Sequence, residues 1–484
     1  MTDRGRFPEG FLFGCATSAF QIEGGIHNDW SEWAFNHHSP EERRAFLRAT
    51  DHWSNYAADF ARLGALKANA YRLSLEWARI EPTPGVYDAA ALDQYARMVE
   101  ALRTRAIEPI VTLLHFTHPS WFHERCPWHQ TRTDAPKRFA DFVRRVAERL
   151  EGVRYWTVLN EPSVWLAGAH VGAVIPPAVP GIGALRRAFS ALVEAHDGAY
   201  AILKAETKGR AQVGIAQNVV QFEPSRPRSR LDRLATQYIA RQYNHTFIQN
   251  LLGLERGLPY WPRRDARVHA STRAPKLDFI GLNYYSRLHV ELNLASVWAN
   301  AAAAGRISKL LPLSLFYEDR AGLGVSDLGW EIYPRGLYSL LVEMNQYGRP
   351  LIVTENGLDD RDDSRRCAFL YDHLGAVLDA IAAGVDVRGY LHWSLLDNFE
   401  WLEAFEPRFG LYRVDYTDMS RHATQAVDLF RDIANHRRLP ALRPPAAIKS
   451  MQGRIPVAGI TSPKRGVDRA VEESTVFETP QASR

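Results

Sequence analysis

Two glutamates stand at the ends of apolar, β-branched segments, where a carboxyl group can do chemistry. Glu161 follows "TVLN" in the stretch WTVLNEPSVW, and Glu355 follows "LIVT" in LIVTENGLDD. Taken singly, Glu161 could be only a helix start, because an acidic residue and the following Pro162 favour a first helical turn. Glu355 could be an incidental acid before a turn at Asn356 and Gly357. As a pair they suit glycoside hydrolysis, in which one carboxyl protonates the departing oxygen and the other attacks the anomeric carbon or activates water.

Whether the two carboxyl groups meet depends on the elements that carry them. Short apolar segments alternate with longer segments of helical period, which is the pattern of βα units. The predicted strands are residues 11–17, 68–75, 108–115, 154–160, 211–218, 277–285, 351–356 and 387–396. The predicted helices are residues 51–65, 89–104, 134–151, 183–207, 231–251, 334–347, 364–383 and 422–437. In the first of them, Trp53, Tyr56, Ala57, Phe60 and Leu63 are spaced to line one buried face.

Eight strand–helix units in one chain predict an α/β fold, a single (β/α)8 TIM barrel with long βα loops, over residues 1–440. In such a barrel the reactive groups lie at the C-terminal ends of the strands. Glu161 ends the fourth predicted strand and Glu355 the seventh, so both should face the same mouth. The separation along the chain gives no distance in space, and that distance decides between retention and inversion of the anomeric carbon.

Composition limits the classes of partner and compartment. The 484 residues are 46% hydrophobic and 24% charged, with a formal net charge of +4 and no sustained basic stripe, so we expect no nucleic-acid partner. Three cysteines, Cys15, Cys126 and Cys367, allow at most one disulfide. The N-terminus does not resemble a secretory signal, and no run of about 18 apolar residues predicts a membrane span. We therefore expect a cytoplasmic protein of unknown oligomeric state.

Two regions depart from the strand–helix alternation. Residues 286–330 form a long, partly apolar excursion between the sixth strand and its helix, and we interpret it as a lid or as a wall of the barrel mouth. Residues 441–484 are rich in proline, serine and charge without periodicity, which predicts a flexible C-terminal tail.

Long motifs in the chain resemble those of family 1 glycoside hydrolases, the β-glucosidase and β-glycosidase family. "TVLNEP" and "IVTENG" are similar to the acid/base and nucleophile motifs of that family. The resemblance extends, in order, through FLFGCATSAFQIEG, NAYRLSLEWARIEPTPGVYD, LDFIGLNYYSR, SDLGWEIYPRGL, LHWSLLDNFEW and RFGLYRVDY. It spans about residues 7 to 437 and implies a β-glycosidase that needs no cofactor.

The resemblance implies roles for the two glutamates and their neighbours. Glu355 matches the nucleophile and Glu161 the acid/base of a retaining double displacement. Arg72 matches an arginine beside the nucleophile, whose charge would lower the pKa of that carboxyl. Tyr285 matches a tyrosine that hydrogen-bonds the nucleophile, and Asn160 matches the residue that holds the sugar 2-hydroxyl.

Further positions match the family's sugar-binding residues. The resemblance assigns these as Gln21, His115, Asn283, Trp393, Glu400 and Trp401. A carboxylate at Glu400 would repel a phosphate and suits a pair of neutral hydroxyls, which predicts an unphosphorylated sugar. We thus predict a retaining exo-β-glycosidase acting on a small-molecule β-D-glucoside, galactoside or fucoside.

Two alternative functions stay open at this point, and so does the identity of the leaving group. "LHFTHPSWFHE" departs from the commonest family pattern and resembles archaeal-type members, so the leaving group is not defined. A transglycosylase would move the sugar to an alcohol, a sugar or a lipid instead of water, and a sugar-binding protein would keep the fold without turnover. His118, His123, Cys126 and His129 could suggest zinc, but they lack paired-ligand spacing and no metal site is predicted.

Overall fold

The strands of the molecule form a closed barrel and two smaller sheets. A computed structural model describes residues 5–35, 39, 47–255, 274–293, 313–449 and 453–457. In chain order the described strands are β1 (Leu12–Ala16), β2 (Ala70–Ser74), β3 (Glu108–Leu114), β4 (Tyr155–Asn160), β5 (Gln212–Asn218), β6 (Gln221–Pro224), β7 (Phe279–Asn283), β8 (Arg287–Leu292), β9 (Leu313–Tyr317), β10 (Leu351–Asn356), β11 (Val387–Trp393), β12 (Tyr412–Val414), β13 (Arg421–Ala423) and β14 (Ile455–Pro456).

Eight parallel strands close the barrel in the order β1-β11-β10-β7-β5-β4-β3-β2. Each coincides with one of the eight predicted strands, which confirms the TIM-barrel prediction. The strands are buried along almost their whole length because helices cover the outside and side chains fill the interior. All eight C-terminal ends therefore open on one mouth.

The helices return the chain between strands. The described α-helices are α1 (Ala19–Ile22), α2 (Asp29–Phe35), α3 (His52–Ala65), α4 (Trp77–Ile80), α5 (Ala89–Arg103), α6 (Ser120–Arg125), α7 (Ala135–Arg149), α8 (Pro162–Ala167), α9 (Ile182–Glu206), α10 (Arg230–Ala240), α11 (Thr246–Leu251), α12 (Pro334–Met344), α13 (Arg366–Ala382) and α14 (Ala426–His436). A local capping residue sets the start of α5. The side chain of Asp88 accepts a hydrogen bond from the N–H of Ala91 at 3.0 Å and so caps this helix.

The buried face of α3 differs from the predicted one. Ala57 is exposed, and Asp59 is buried in its stead because its carboxylate forms a 2.8 Å hydrogen bond with the ring of His52 and an ion pair with Arg421. The predicted helix over 231–251 is also divided, since a π-helical turn, Arg241–His245, separates α10 from α11.

A four-stranded sheet lies beside the mouth, in the order β14-β9-β8-β6. β8 and β9 are antiparallel neighbours, and the apolar side chains of Phe222, Leu288, Val290 and Leu315 pack together on the sheet. The predicted excursion over 286–330 contributes β8 and β9 to this sheet, while its residues 294–312 lie outside the described part of the chain.

Part of the segment assigned to a flexible tail contacts the rest of the molecule. The guanidinium of Arg443 forms an ion pair with Asp372 at 2.7 Å, and β14 pairs with β9. Residues 450–452 and 458–484 lie outside the described residues, so the domain boundary at residue 440 stays a prediction.

Candidate active site

Glu161 lies between β4 and α8, and its main chain begins the helix. Its carbonyl oxygen accepts hydrogen bonds from the N–H groups three and four residues later, at 3.0 and 3.1 Å, and Pro162 fills the first helical position. The backbone is left-handed (φ 43°, ψ 55°), which costs a residue with a side chain about 1 kcal/mol. The side chain does not cap the helix. Its Oε1 accepts hydrogen bonds from the amides of Asn218 and Asn283, both at 2.9 Å.

Glu355 lies at the end of β10, and its carboxylate contacts a buried cation. The guanidinium of Arg72, from β2, donates a hydrogen bond to Oε1 at 2.5 Å, and the hydroxyl of Tyr285 donates to Oε2 at 2.6 Å. Arg72 is fully buried and Glu355 is 3% exposed. Two positions later, a side chain on Gly357 would collide with the carbonyl oxygen of Trp393, so this strand end lies directly against β11.

Asn160 connects, through hydrogen bonds, the residues that contact the two carboxyl groups. Its Oδ1 accepts hydrogen bonds from Arg72 at 2.6 Å and from Asn283 at 3.1 Å. The other side-chain atom, Nδ2, is therefore the donor toward Nε2 of His115, at 3.0 Å. Burial and the charge of Arg72 lower the pKa of His115 well below its usual value, so the imidazole is neutral and can accept this bond.

Burial affects both glutamates, but their counter-charges differ. It raises the pKa of Glu161 to about 8, and the negative charge of Glu355 adds to that rise. Burial also raises the pKa of Glu355, but the charge of Arg72 and the hydroxyl of Tyr285 oppose the rise by direct contact. Since, among the described residues, a cation contacts Glu355 but not Glu161, Glu355 ionises first and Glu161 keeps its proton near neutral pH.

The predicted sugar-binding residues meet around His115. The ring of Trp393 stacks on His115 at 6.0 Å, and the ring of Trp401 does so at 6.2 Å. Gln21 donates hydrogen bonds to Asn398 and to the carbonyl of Phe399, which lies next to Glu400. Among the described residues, Oε1 of Gln21 and Oε2 of Glu400 are shielded from solvent and accept no hydrogen bond, so each can accept one from a hydroxyl. Burial, together with the charges of Glu355 and Glu161, raises the pKa of Glu400 to about 8.

Four site residues were not predicted from the sequence. Asn218 donates to Glu161, and Tyr243 in turn donates to Asn218 at 3.0 Å. Thr112 accepts a hydrogen bond from Nε of Arg72, and Thr354 donates one to Asn283 at 2.7 Å. Three of the four lie on barrel strands, and Asn218 ends β5, so the rule that strand ends carry function was the signal available for it.

The histidine-rich loop contains one group with metal-ligand spacing. In the described part of the chain this group is Asp29, His118 and His123, whose potential ligand atoms lie within 4.8 Å of one another; Cys126 and His129 are not in it. Trp128 can only donate, and it donates to Nε2 of His118 at 2.8 Å. Nδ1 of His118 therefore carries the proton and donates to Asp29 at 3.0 Å. The donor set is thus arranged as a hydrogen-bonded triad, which does not fit a metal ion.

The known proteins to which this chain is similar match it over most of its length and share its fold. The family model described as "Glycosyl hydrolase family 1" matches residues 3–439. A β-galactosidase of Sulfolobus acidocaldarius is 30% identical over 90% of this chain and 96% of its own, and β-glucosidase A of Thermotoga maritima is 31% identical over 86% and 95%. The solved β-glycosidase from Pyrococcus horikoshii superposes with a TM-score of 0.77, at 32% identity, over 90% of this chain and 96% of its own. No described helix is long and apolar enough to cross a membrane.

Proposed function

Because this chain belongs to family 1 of the glycosyl hydrolases and is a glycoside hydrolase, we propose that it is a retaining exo-β-glycosidase. Its substrates are unphosphorylated β-D-glucosides, galactosides or fucosides. The named activities of the two relatives, a β-galactosidase and a β-glucosidase, support the glucose and galactose alternatives.

The observation that carries the proposal is the unequal environment of the two buried carboxyl groups. Glu355 contacts the guanidinium of Arg72 and the hydroxyl of Tyr285, whereas Glu161 contacts two neutral amides. A nucleophile must be ionised and an acid must hold its proton, so this difference favours Glu355 as nucleophile and Glu161 as acid/base. Both residues match the family motifs in the corresponding roles.

In the first half of the reaction, one oxygen of Glu355 attacks the anomeric carbon and forms a glycosyl ester. The bond to the leaving oxygen breaks as that oxygen takes the proton of Glu161, so the leaving group departs as a neutral alcohol. The amide of Asn160, held by Arg72 and Asn283, would bind the 2-hydroxyl as positive charge develops on the sugar.

In the second half, Glu161 acts as a base. Glu161 has given its proton to the leaving group, and once Glu355 is an uncharged ester it no longer raises the pKa of Glu161 by repulsion. Glu161 is then ionised and takes a proton from water as that water attacks the anomeric carbon. The bond to Glu355 breaks, the sugar leaves with its original anomeric configuration, and both carboxyl groups return to their first state.

The charge of the site supports an unphosphorylated sugar. Three acidic residues, Glu161, Glu355 and Glu400, lie close enough for the charges of the first two to raise the pKa of the third. Arg72, the cation in direct contact with Glu355, is already engaged by that carboxyl and by Asn160. A phosphate dianion would thus meet acidic groups, and the cation described beside them is already paired.

A panel of aryl β-glycosides, including 6-phosphorylated ones, tests this function. We expect turnover of the unphosphorylated compounds, a β-configured first product by NMR, and rescue of a Glu161→Ala variant by azide, which needs no general base. An α-configured product would exclude retention, and predominant transfer to a small amount of added alcohol would favour a transglycosylase. If no member of the panel is turned over and a mechanism-based fluoro-sugar does not label Glu355, the alternative of a sugar-binding protein without turnover is favoured instead.

We also propose a cytoplasmic location. The described cysteines Cys15, Cys126 and Cys367 are all free thiols, as a reducing compartment favours. Cell fractionation followed by immunoblotting tests the compartment directly, and recovery outside the cytoplasmic fraction would contradict it.

A further inference from the structure

On the side of Tyr285, the described residues of the site include a wall that comes from outside the barrel strands. This rim wall consists of β9 and residues 324–331. Its Trp330 has its ring 5.6 Å from that of Tyr285, which donates a hydrogen bond to Glu355. The ring of Tyr317, at the end of β9, stacks on Trp330 at 6.4 Å. The rim wall thus reaches the nucleophile through a single intervening side chain.

The rim wall is separate from the predicted sugar-binding residues. Those that meet at His115 come from segments at the ends of β1, β3 and β11, whereas the rim wall belongs to the excursion between β7 and α12. It therefore borders the part of the mouth that remains for the leaving group or acceptor.

The C-terminal segment, residues 448–449 and 453–457, lies along this rim wall. Ile455 and Pro456 pair antiparallel with Tyr317 and Phe316, and the N–H of Val457 donates to the carbonyl of Leu315 at 3.0 Å. β14 is thereby the outermost strand of the four-stranded sheet, and it covers the edge of β9.

Two cations fix the same segment to the rim wall. The ammonium of Lys449 forms an ion pair with Asp327 at 2.5 Å, and its carbonyl accepts the N–H of Val325 at 3.0 Å. The guanidinium of Arg454 lies 4.3 Å from the ring of Phe316 and forms a 2.9 Å ion pair with Glu291 of β8.

The position next to Trp330 is fitted to this segment. A side chain on Gly329 would collide with the end of the Ile455 side chain, so the turn and the C-terminal segment are in direct contact there. Because Gly329 has a positive φ of 82°, glycine suits both the turn and the close approach. Displacing Ile455 would leave this turn, and Trp330 beside it, without its outer contact.

We infer that the C-terminal segment positions the rim wall and thereby sets the affinity for the leaving-group side of the substrate. This inference rests on the proposed glycosidase function. Lys449 and Arg454 are positioning residues: they touch neither the predicted sugar-binding residues nor the two glutamates, and they act through Asp327, Phe316 and the turn that carries Trp330.

The test compares four forms of the full chain. The double variant Lys449→Ala with Arg454→Ala removes both cations, and Lys449→Arg with Arg454→Lys restores charge. Arg443→Ala is the matched control, because it breaks an ion pair of the same terminal region with Asp372 on α13 and not with the rim wall. Each form is examined by amide hydrogen exchange of residues 313–317 and 324–331, and by kcat and KM for aryl glycosides and for a disaccharide.

We expect the double alanine variant to lose about tenfold in exchange protection of the rim wall. Its KM should rise about threefold or more with kcat within about twofold, while inhibition by a monosaccharide-sized iminosugar is unchanged. The charge-restored form and the control should match wild type. Wild-type exchange in the rim wall of the double variant, or an unchanged KM despite faster exchange, would overturn the inference. If wild type turns over no glycoside, the proposed function fails, but the exchange measurement still decides whether the segment holds the rim wall.

Discussion

The floor of the site and the rim wall beside it are held by different means. The floor is a network of buried side chains from neighbouring barrel strands, in which Arg72, Asn160 and Asn283 connect the two glutamates by hydrogen bonds. The rim wall is held by ion pairs with segments outside the barrel strands, of which some are buried, such as that of Glu331 with Arg287, and others are partly exposed, such as that of Lys449, whose side chain is 52% exposed. Buried networks fix geometry and charge, whereas exposed pairs contribute little free energy each. Changes in the floor should therefore alter the chemistry, and changes at the rim should alter stability and leaving-group affinity.

The largest effect should follow from removing the nucleophile. Glu355→Gln keeps the size of the side chain and its contact with Arg72, but an amide oxygen does not form the ester intermediate, so kcat should fall by about 10⁴-fold or more. Steady-state and single-turnover kinetics measure the loss. The control is Glu148→Gln, which changes an exposed ion pair with Arg145 on α7 and should keep wild-type kcat. A fall of less than tenfold would place the nucleophile elsewhere.

Arg72→Gln should have the next largest effect, about 10²-fold on kcat/KM, because it removes the cation that touches Glu355. The pKa of Glu355 then rises, since the carboxylate loses its counter-charge. The acidic limb of the pH profile of kcat/KM should move to higher pH, because Glu355 must be ionised to attack. An unshifted acidic limb would show that Arg72 does not control this ionisation.

A smaller effect is expected at Asn218, a floor residue that donates a hydrogen bond to Glu161, the proposed acid/base, and not to Glu355. Asn218→Ala removes a hydrogen bond that stabilises the ionised form of Glu161, so the pKa of Glu161 rises. The alkaline limb of the kcat/KM profile should move to higher pH, with about a tenfold fall in kcat. Gln237→Ala, at an exposed position on α10, is the control and should leave the profile in place.

A substitution in the rim wall should change the free energy of unfolding more than it changes kcat. Glu331 accepts hydrogen bonds from Arg287 and from two main-chain N–H groups, which lower its pKa from 4.5 to about 2. Its carboxylate stabilises the fold above about pH 4.5, and this contribution is lost as the pH falls toward 2. Glu331→Gln should reduce the free energy of unfolding at pH 7 by about 2 kcal/mol while kcat stays within about threefold.

Denaturant unfolding at several pH values checks that prediction. The difference between wild type and Glu331→Gln should shrink as the pH falls from about 4.5 toward 2, because the Glu331 carboxyl becomes increasingly protonated and so loses the charge that the variant also lacks. Glu406→Gln, which changes an exposed ion pair with Arg361, should show no such difference at any pH. A difference that is constant with pH would mean that packing, and not the charge of Glu331, stabilises this part of the rim.

The sequence predicted the barrel and its two glutamates because those signals are local. Apolar segments of strand length mark each barrel strand, and the end of a strand is visible from the residues around it. The partners of Glu161 are not local. Asn218 meets Glu161 because β4 and β5 run in a register that places Asn160 beside Ala216, two residues before Asn218. A single amide at a strand end does not reveal that register.

The contacts of the C-terminal segment could not be predicted from the sequence either. Its contacts are ion pairs and a two-residue strand, and the partner of that strand lies more than a hundred residues earlier in the chain. Such contacts leave no periodic pattern, so proline, serine and charge were interpreted as a flexible tail. Likewise, Asp29 and His118 form one hydrogen-bonded pair across 89 positions of sequence. Long-range pairing of this kind depends on the finished fold.

The left-handed backbone of Glu161 sets stability against activity at a single position. The conformation is unfavourable for any residue with a side chain, whereas glycine adopts it readily. Glu161→Gly would remove that strain, and the carbonyl that begins α8 would remain. With Glu161 as the proposed acid/base, position 161 is therefore a place where selection for a more stable barrel and selection for turnover act in opposite directions.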